Sequence, residues 1–236
     1  MNVPTIPALQ RAALDAIRSL ATRPAFLSYK VAIVGNLAQE SHMPGQAHVV
    51  PTCVELYLDT HERSLTSADL QWELSNTDPV RYVYTSLGEC RLRTPSRVEI
   101  KILPAHTTAL TSASFPLKFE LVLDAAVSVG IAGANAGANV QLPYCTMQDL
   151  LVLLMARAAA IPRLPLGRLQ RDAAYVKDLV RRTWQRPGQL RPKFQHIPLT
   201  GEHLRVFSES VESFYSVSDR EWGVRFWCYI FGPRPY

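Results

Sequence analysis

Paired or clustered cysteines are missing from this sequence. The four cysteines, Cys53, Cys90, Cys145 and Cys228, lie far apart, without a CxxC motif or zinc-site spacing. The N-terminus has no export-type apolar segment, and no apolar run reaches the roughly 20 residues of a membrane span. These absences predict a cytoplasmic protein without a disulfide framework or a membrane span. Because residues 1–24 are amphipathic and poor in acids, a transit peptide stays open as the alternative.

Charge is modest overall and unevenly distributed. Charged residues make up 19% and hydrophobic residues 47% of the 236 positions, which is ordinary for a globular protein with a substantial core. The net charge is +5, yet residues 157–193 carry ten Lys/Arg against two acids, a local net charge of +8. This basic segment predicts contact with a nucleic acid or a protein partner. The alternative is a solvated helix surface whose arginine stems cover apolar neighbours.

Hydrophobic periodicity predicts strands in the middle of the chain and helices after them. The pattern favours helices at 7–22, 36–43, 67–74, 147–161, 168–184 and 200–215, with Ser67 as the candidate N-cap of the third. It favours strands at 29–35, 52–59, 81–86, 96–103 and 117–125. This order predicts an α+β fold with an α/β-type core and an N-terminal helix in residues 1–146, followed by a helical C-terminal part in 147–236.

A glycine-rich stretch, VGIAGANAGANVQLPY, follows the strand predicted at 117–125. It lacks the GK[ST] ending of a phosphate-binding P-loop, and it is not a GxGxxG dinucleotide motif. We therefore predict a loop or a hairpin linker in this stretch.

Two of the predicted strands place polar residues on one face. In 52–59, Cys53, Glu55, Tyr57 and Asp59 alternate with Val54, Leu56 and Leu58. In 96–103, Arg97, Glu99 and Lys101 alternate with Val98, Ile100 and Ile102. Because successive side chains point to opposite faces of a strand, each strand is expected to bury its apolar side and to direct its acids to a cleft or an exposed edge.

A resemblance to a known family rests on five segments in chain order: VAIVGNLAQESHM, PTCVELYLD, VEIKIL, MQDLLVLLMARAAAIPR and RDAAYVKDL. Together they span roughly residues 29–182 and resemble the nucleotidyltransferase superfamily, nearest to its minimal and AbiEii-type toxin members. The resemblance implies a nucleotidyltransferase-like mixed sheet flanked by helices. It also implies transfer of a nucleoside monophosphate from a nucleoside triphosphate (NTP) to a hydroxyl group of a protein, an RNA or a small molecule.

The resemblance assigns roles to individual residues. Gly35 and Asn36 match the glycine turn that contacts phosphate at a helix N-terminus. Glu55 and Glu99 match strand acids that hold Mg²⁺ against the triphosphate oxygens. If the chain is a nucleotidyltransferase, the phosphate tail is expected to be held by Arg157, Arg163 or Arg171.

Several positions depart from the family pattern. Asn36 stands where the family has a second Gly or Ser, Cys53 where it has the first strand acid, and Leu154 near its helix lysine. Because magnesium prefers hard oxygen ligands, Cys53 is a poor substitute and also fits an inert half-buried thiol. Lys101, two residues after Glu99, is expected on the same side, where its ammonium would neutralise a carboxylate. These departures argue against a two-metal site.

Two other functions fit the same residues. In one, Glu55, Glu99, Lys101 and His42 serve as acids, bases or charge stabilisers on a small organic substrate without metal. In the other, the chain is a non-catalytic family member whose basic helices engage a partner or nucleic acid.

Structural explanations stay open beside the functional ones. Glu55 and Asp59 fit solvent-facing positions on an edge strand, and Glu99 with Lys101 fits a surface ion pair worth little. His42 fits a helix end, where the dipole favours positive charge. The aromatic residues near the C-terminus fit a core better than a platform for stacking bases: Phe226, Trp227, Tyr229 and Phe231.

Overall fold

A computed structural model of the chain describes residues 3–45, 50–59, 65–85, 90–92, 98–104, 127–134, 141–147, 150 and 175. The helices are α1 (Ile6–Ala21), α2 (Gly35–His42), α3 (Ser67–Thr77) and α4 (Val129–Ala134), with a 3₁₀ turn at Pro24–Phe26. The strands are β1 (Lys30–Val34), β2 (Cys53–Asp59), β3 (Tyr82–Tyr84), β4 (Cys90–Leu92), β5 (Glu99–Pro104) and β6 (Val127–Ser128). These elements confirm the first three predicted helices and the first four predicted strands.

The strands form one mixed sheet in the order β3-β4-β5-β2-β1-β6. β2 and β5 run parallel, and the other neighbouring pairs are antiparallel. β2 therefore lies inside the sheet, so the alternative that placed its acids on an edge strand is wrong. The sheet and its helices together confirm the α+β fold class.

α1 forms because its apolar residues recur at helical spacing and meet one side of the sheet. Leu9, Ala13, Ile17 and Leu20 are fully buried. They pack in one core with α3 residues and with alternate strand residues: Val31, Ile33, Val54, Leu56, Leu58, Ile100 and Ile102. Burying each such large aliphatic side chain contributes about 1.5–3 kcal/mol, so this core stabilises the strands that carry the polar residues on their other face.

The other face of the sheet carries the polar positions of β2 and β5. Near β1, this face is apolar, since Ala32, Val34 and Tyr57 are buried. Cys53 and Glu55, toward the start of β2, keep partial exposure. The polar positions therefore lie at one end of this face, where the chain leaves β1 and enters α2.

The start of α3 differs from the expected cap. Thr66, not Ser67, is the N-cap: its side chain accepts a bond from the Asp69 N–H, and the Asp69 carboxylate accepts one from the Thr66 N–H, which completes a capping box. Ser67 Oγ instead donates to the Ile102 carbonyl of β5. The hydroxyl expected to cap the helix therefore links α3 to the sheet.

The predicted loop over the glycine-rich stretch is wrong for its first residues, which form α4. A Cβ added at Gly133 would lie 2.5 Å from Ala21 Cβ, and one at Gly130 would lie 3.1 Å from a Leu27 side-chain carbon. The missing side chains therefore let α4 approach α1 and the turn after it. This packing supplies the stability that glycine's poor helix propensity does not.

The chain divides into two compact units, Met1–Thr108 with Lys118–Leu150, and Ala109–Leu117 with Leu151–Tyr236. All elements named above lie in the first unit, and the predicted boundary after residue 146 stays a prediction. Several predicted features lie outside the described residues, apart from single positions such as 147, 150 and 175: the strand at 117–125, the helices at 147–161, 168–184 and 200–215, the basic segment 157–193, and the C-terminal aromatic residues. Within the described part of the chain, no helix combines the length and apolar character of a membrane span.

Candidate functional site

The parallel register of β2 and β5 brings four predicted residues together. Cys53 is paired with Glu99, and Glu55 is paired with Lys101. Because paired residues share a face and the residues two apart on one strand do as well, all four side chains lie on the face of the sheet opposite the α1 core. We call Cys53, Glu55, Glu99 and Lys101 the polar quartet.

Gly35 connects the polar quartet to α2. It joins β1 directly to the helix, it has a φ of +68°, and its neighbour Val34 is paired with Glu55. A Cβ added at Gly35 would lie 1.5 Å from Glu55 Oε2, so the carboxylate lies against the glycine turn. Both the left-handed backbone and this close approach require glycine here.

Glu99 is already engaged by a cation. Lys101 Nζ lies 3.6 Å from Glu99 Oε1, which confirms that the ammonium neutralises a carboxylate of the quartet. Burial lowers the pKa of the Lys101 ammonium, but Cys53, Glu99 and Glu55 together raise it above its ordinary value. Lys101 is thus protonated at neutral pH. Since its side chain is 41% exposed, the pair contributes little to stability.

Cys53 is a protonated thiol at neutral pH. Its pKa is raised to about 11, mainly by burial and further by the negative charges of Glu55 and Glu99. The positive charge of Lys101 acts in the opposite direction and only partly offsets this rise. A thiolate is the form that attacks electrophiles and binds metals. At neutral pH Cys53 is therefore a poor nucleophile in this setting.

Arg91 is a neighbour of the quartet that the sequence did not reveal. It lies on β4 in register with Glu99, so the two side chains share a face. Glu99 is thus flanked by two cationic residues, Arg91 and Lys101. A three-residue strand shows no alternation, so only the register in the folded sheet identifies this position.

His42 lies apart from the quartet. It ends α2, roughly 10 Å along the helix axis from Gly35. Its Nε2 donates a hydrogen bond of 2.7 Å to the Cys145 carbonyl. The structure therefore does not bring His42 together with Glu55 and Glu99. Asn36 follows Gly35 in the first turn of α2, whereas Arg157, Arg163 and Arg171 lie outside the described residues.

The residues of the quartet do not fit the magnesium site that the resemblance implies. Glu99 is paired with Lys101, Glu55 lies against Gly35, and the position of the first acid holds a protonated thiol. In the described ranges, no group of three or more His, Cys, Asp or Glu side chains is placed to hold a metal ion. Two carboxylates, one of them neutralised, are a weak set for a cation that demands several oxygen ligands.

Comparison of the chain with known families, curated proteins and solved structures finds no match. The features of the chain that bear on function are therefore the quartet, the glycine turn and the chemistry of their groups. Together these place a carboxylate, an ammonium and a thiol on a partly exposed sheet face beside a helix start.

Proposed function

We propose that this chain is nucleotidyltransferase-like and that its polar quartet binds and acts on a nucleotide or another small organic substrate without a metal ion. One observation carries the proposal: the β2–β5 register gathers Glu55, Glu99 and Lys101 on one face beside the Gly35 turn. The order of glycine turn, helix and two parallel acidic strands supports the family resemblance. The Lys101–Glu99 pair supports a fixed ammonium in place of a metal ion.

The groups present suit acid–base and electrostatic chemistry. Since Lys101 engages Glu99, Glu55 is the carboxylate of the quartet best suited to accept a proton from a substrate hydroxyl. The protonated Lys101 can stabilise negative charge that develops on the substrate. Cys53 contributes a neutral thiol and no nucleophile. His42 takes no direct part in this chemistry, because it lies at the far end of α2, where its Nε2 donates to the Cys145 carbonyl.

Thermal unfolding in the presence of each nucleoside triphosphate tests this proposal, with EDTA in one series and Mg²⁺ or Mn²⁺ in the other. A ligand at about one hundred times its Kd should raise the midpoint by roughly 5–10 °C. The proposal expects the same rise in EDTA and its loss in Lys101→Met. Lys30→Met is the matched control, because Lys30 starts β1 beside Asp59, four residues before Val34. A ligand-induced rise that survives Lys101→Met would refute the role of the ammonium.

Metal-dependent nucleotide transfer is the second candidate function. It is favoured by the position of the Glu55 carboxylate, on a strand next to that of Glu99 and against a glycine turn at a helix start. It expects a rise in the unfolding midpoint only with Mg²⁺ or Mn²⁺. It also expects transfer of a labelled nucleotide that is lost in Glu55→Ala. Absence of any rise with every nucleotide, in both series, would remove nucleotides as substrates in both candidates.

Binding of a nucleic acid or a protein partner through residues 157–193 stays a prediction from the local charge of +8. Such binding should weaken steeply as salt increases, because each basic residue that contacts a phosphate releases counterions. Reversing the charges of Arg181 and Arg182 should reduce it. Unchanged binding in that variant would remove the segment from consideration.

A further inference from the structure

The C-terminal end of α2 is held by a side-chain hydrogen bond to a distant part of the chain. His42 Nε2 donates to the Cys145 carbonyl at 2.7 Å. The neighbouring residue, Ser41, lies beside the Tyr144 hydroxyl, which accepts a 2.9 Å bond from Gln10 Nε2 of α1. The last turn of α2 therefore bonds to the segment 143–145 through His42 and lies against it at Ser41.

The segment 143–145 is itself bound to the sheet. Its residues pair with β1 in parallel: the Ile33 N–H donates to the Pro143 carbonyl at 2.6 Å, and the Cys145 N–H donates to the Ile33 carbonyl at 2.9 Å. β1 continues through Gly35 into α2, and α2 returns through His42 to this segment. The contacts thus close a ring in which Gly35 is the one left-handed glycine.

A short helix needs such an anchor. Eight residues are too few for a helix to be stable by itself, so tertiary contacts must hold α2 in place. Gly35 has no side chain and joins the helix directly to β1, which makes it the natural pivot if the far end is released. Movement about this pivot would separate the first turn of α2 from the Glu55 carboxylate.

We propose that His42 is a positioning residue: its bond to the Cys145 carbonyl holds α2 so that the first turn of the helix keeps its place beside the Glu55 carboxylate. The functional meaning of this inference rests on the proposed substrate site. It replaces the acid or base role that the sequence suggested for His42. The residue acts at the quartet through the helix and not by contact with a substrate.

Amide hydrogen exchange and labelling of Cys53 with iodoacetamide, both followed by peptide mass spectrometry on the full chain without ligand, test the inference. His42→Leu removes the donor at similar size, and His42→Gln keeps an N–H donor at a similar reach. We expect His42→Leu to speed exchange across Gly35–His42 about fivefold, the equivalent of one lost hydrogen bond, and to speed labelling of Cys53. His42→Gln should restore both rates toward those of the native chain.

Thr22→Val is the matched control. It also removes a side-chain bond to a backbone carbonyl, that of Thr22 Oγ1 to Ser19 at 2.7 Å, but it does so at the end of α1. It should leave exchange across α2 and labelling of Cys53 unchanged. If His42→Leu proves too unstable to isolate, Ser41→Ala removes the neighbouring contact with the Tyr144 hydroxyl and carries the same expectation.

The inference is overturned if exchange across α2 or labelling of Cys53 is unchanged in His42→Leu, if His42→Gln fails to restore them, or if Thr22→Val changes them equally. None of these measurements needs a substrate. Failure of every nucleotide to bind would therefore remove the proposed function and leave the positioning role of His42 standing. Unchanged exchange in His42→Leu would remove the positioning role and leave the proposed function standing.

Discussion

Gly35→Ala should carry two separable penalties. The first is in the backbone, because a φ of +68° lies in the left-handed region, where a residue with a Cβ costs roughly 1–2 kcal/mol. The second is steric, because the new Cβ would lie 1.5 Å from Glu55 Oε2 and 2.6 Å from Glu55 Cδ. The flexible side chain of Glu55 can rotate aside at a cost of about 0.5–1.5 kcal/mol. We expect the free energy of unfolding to fall by about 1.5–3.5 kcal/mol in total.

Gly45 offers a matched control. Its φ of +71° is nearly the same, but no atom lies within 4 Å of a Cβ added there. Gly45→Ala should therefore cost only the backbone penalty of roughly 1–2 kcal/mol. The change in unfolded-chain entropy is common to both substitutions and cancels in the comparison. The difference of about 1 kcal/mol measures the contact of Glu55 with the turn at Gly35.

Urea unfolding followed by circular dichroism measures these costs in the native chain, Gly35→Ala, Gly45→Ala, Glu55→Ala and the double variant Gly35→Ala/Glu55→Ala. Once Glu55 is truncated, Gly35→Ala should cost no more than Gly45→Ala. The double-mutant cycle should then give a coupling of about 1 kcal/mol between the two positions. Equal costs for the two glycine substitutions, together with zero coupling, would refute the placement of the carboxylate against the turn.

Two further predictions follow from the titration of single groups. Because burial and two acids raise the pKa of Cys53 to about 11, its alkylation at pH 8 should be roughly a hundredfold slower than that of an ordinary thiol, and it should accelerate as the pH approaches 11. Labelling of the Cys53 peptide at an ordinary rate at pH 8 would contradict this. The side-chain bond to Thr66 holds the pKa of the Asp69 carboxyl below its ordinary value of 3.8. The ionised carboxylate therefore stabilises the fold fully above the unfolded pKa of 3.8, and this stabilisation is lost as the pH falls through the lower folded pKa. Asp69→Asn should therefore lower the unfolding midpoint at pH 7 more than at pH 2.5, and an equal effect at both would contradict the capping box.

Local patterns were sufficient for the elements whose stability comes from one apolar side. The spacing of Leu9, Ala13, Ile17 and Leu20 indicates α1, because only a helix brings these residues to one side. Local sequence patterns were insufficient where tertiary packing outweighs intrinsic helix propensity. Glycines favour a loop in isolation, yet α4 forms because Gly130 and Gly133 allow close contact with Leu27 and α1.

The candidate site likewise has features that local sequence patterns predict and features that they do not. Alternation in two segments predicts that Glu55 and Glu99 each lie on the polar side of a strand, and the apolar–polar alternation in the folded sheet agrees with it. Alternation does not say which strands are neighbours or in what register. The same limit explains why Arg91 was missed and why His42 was assigned to a site that its position on α2 does not reach.

The sequence by itself determined the hydrophobic periodicity, the turn residues and the charges. These indicate an amphipathic first helix, two strands with one polar side, and a glycine after β1. These depend on contacts between residues close in the chain, so local spacing encodes them. Only the tertiary structure decided that β2 and β5 run side by side in their register and that the Glu55 carboxylate rests on Gly35. Each of these is a distance between residues far apart in sequence, and the packing of the whole sheet fixes it.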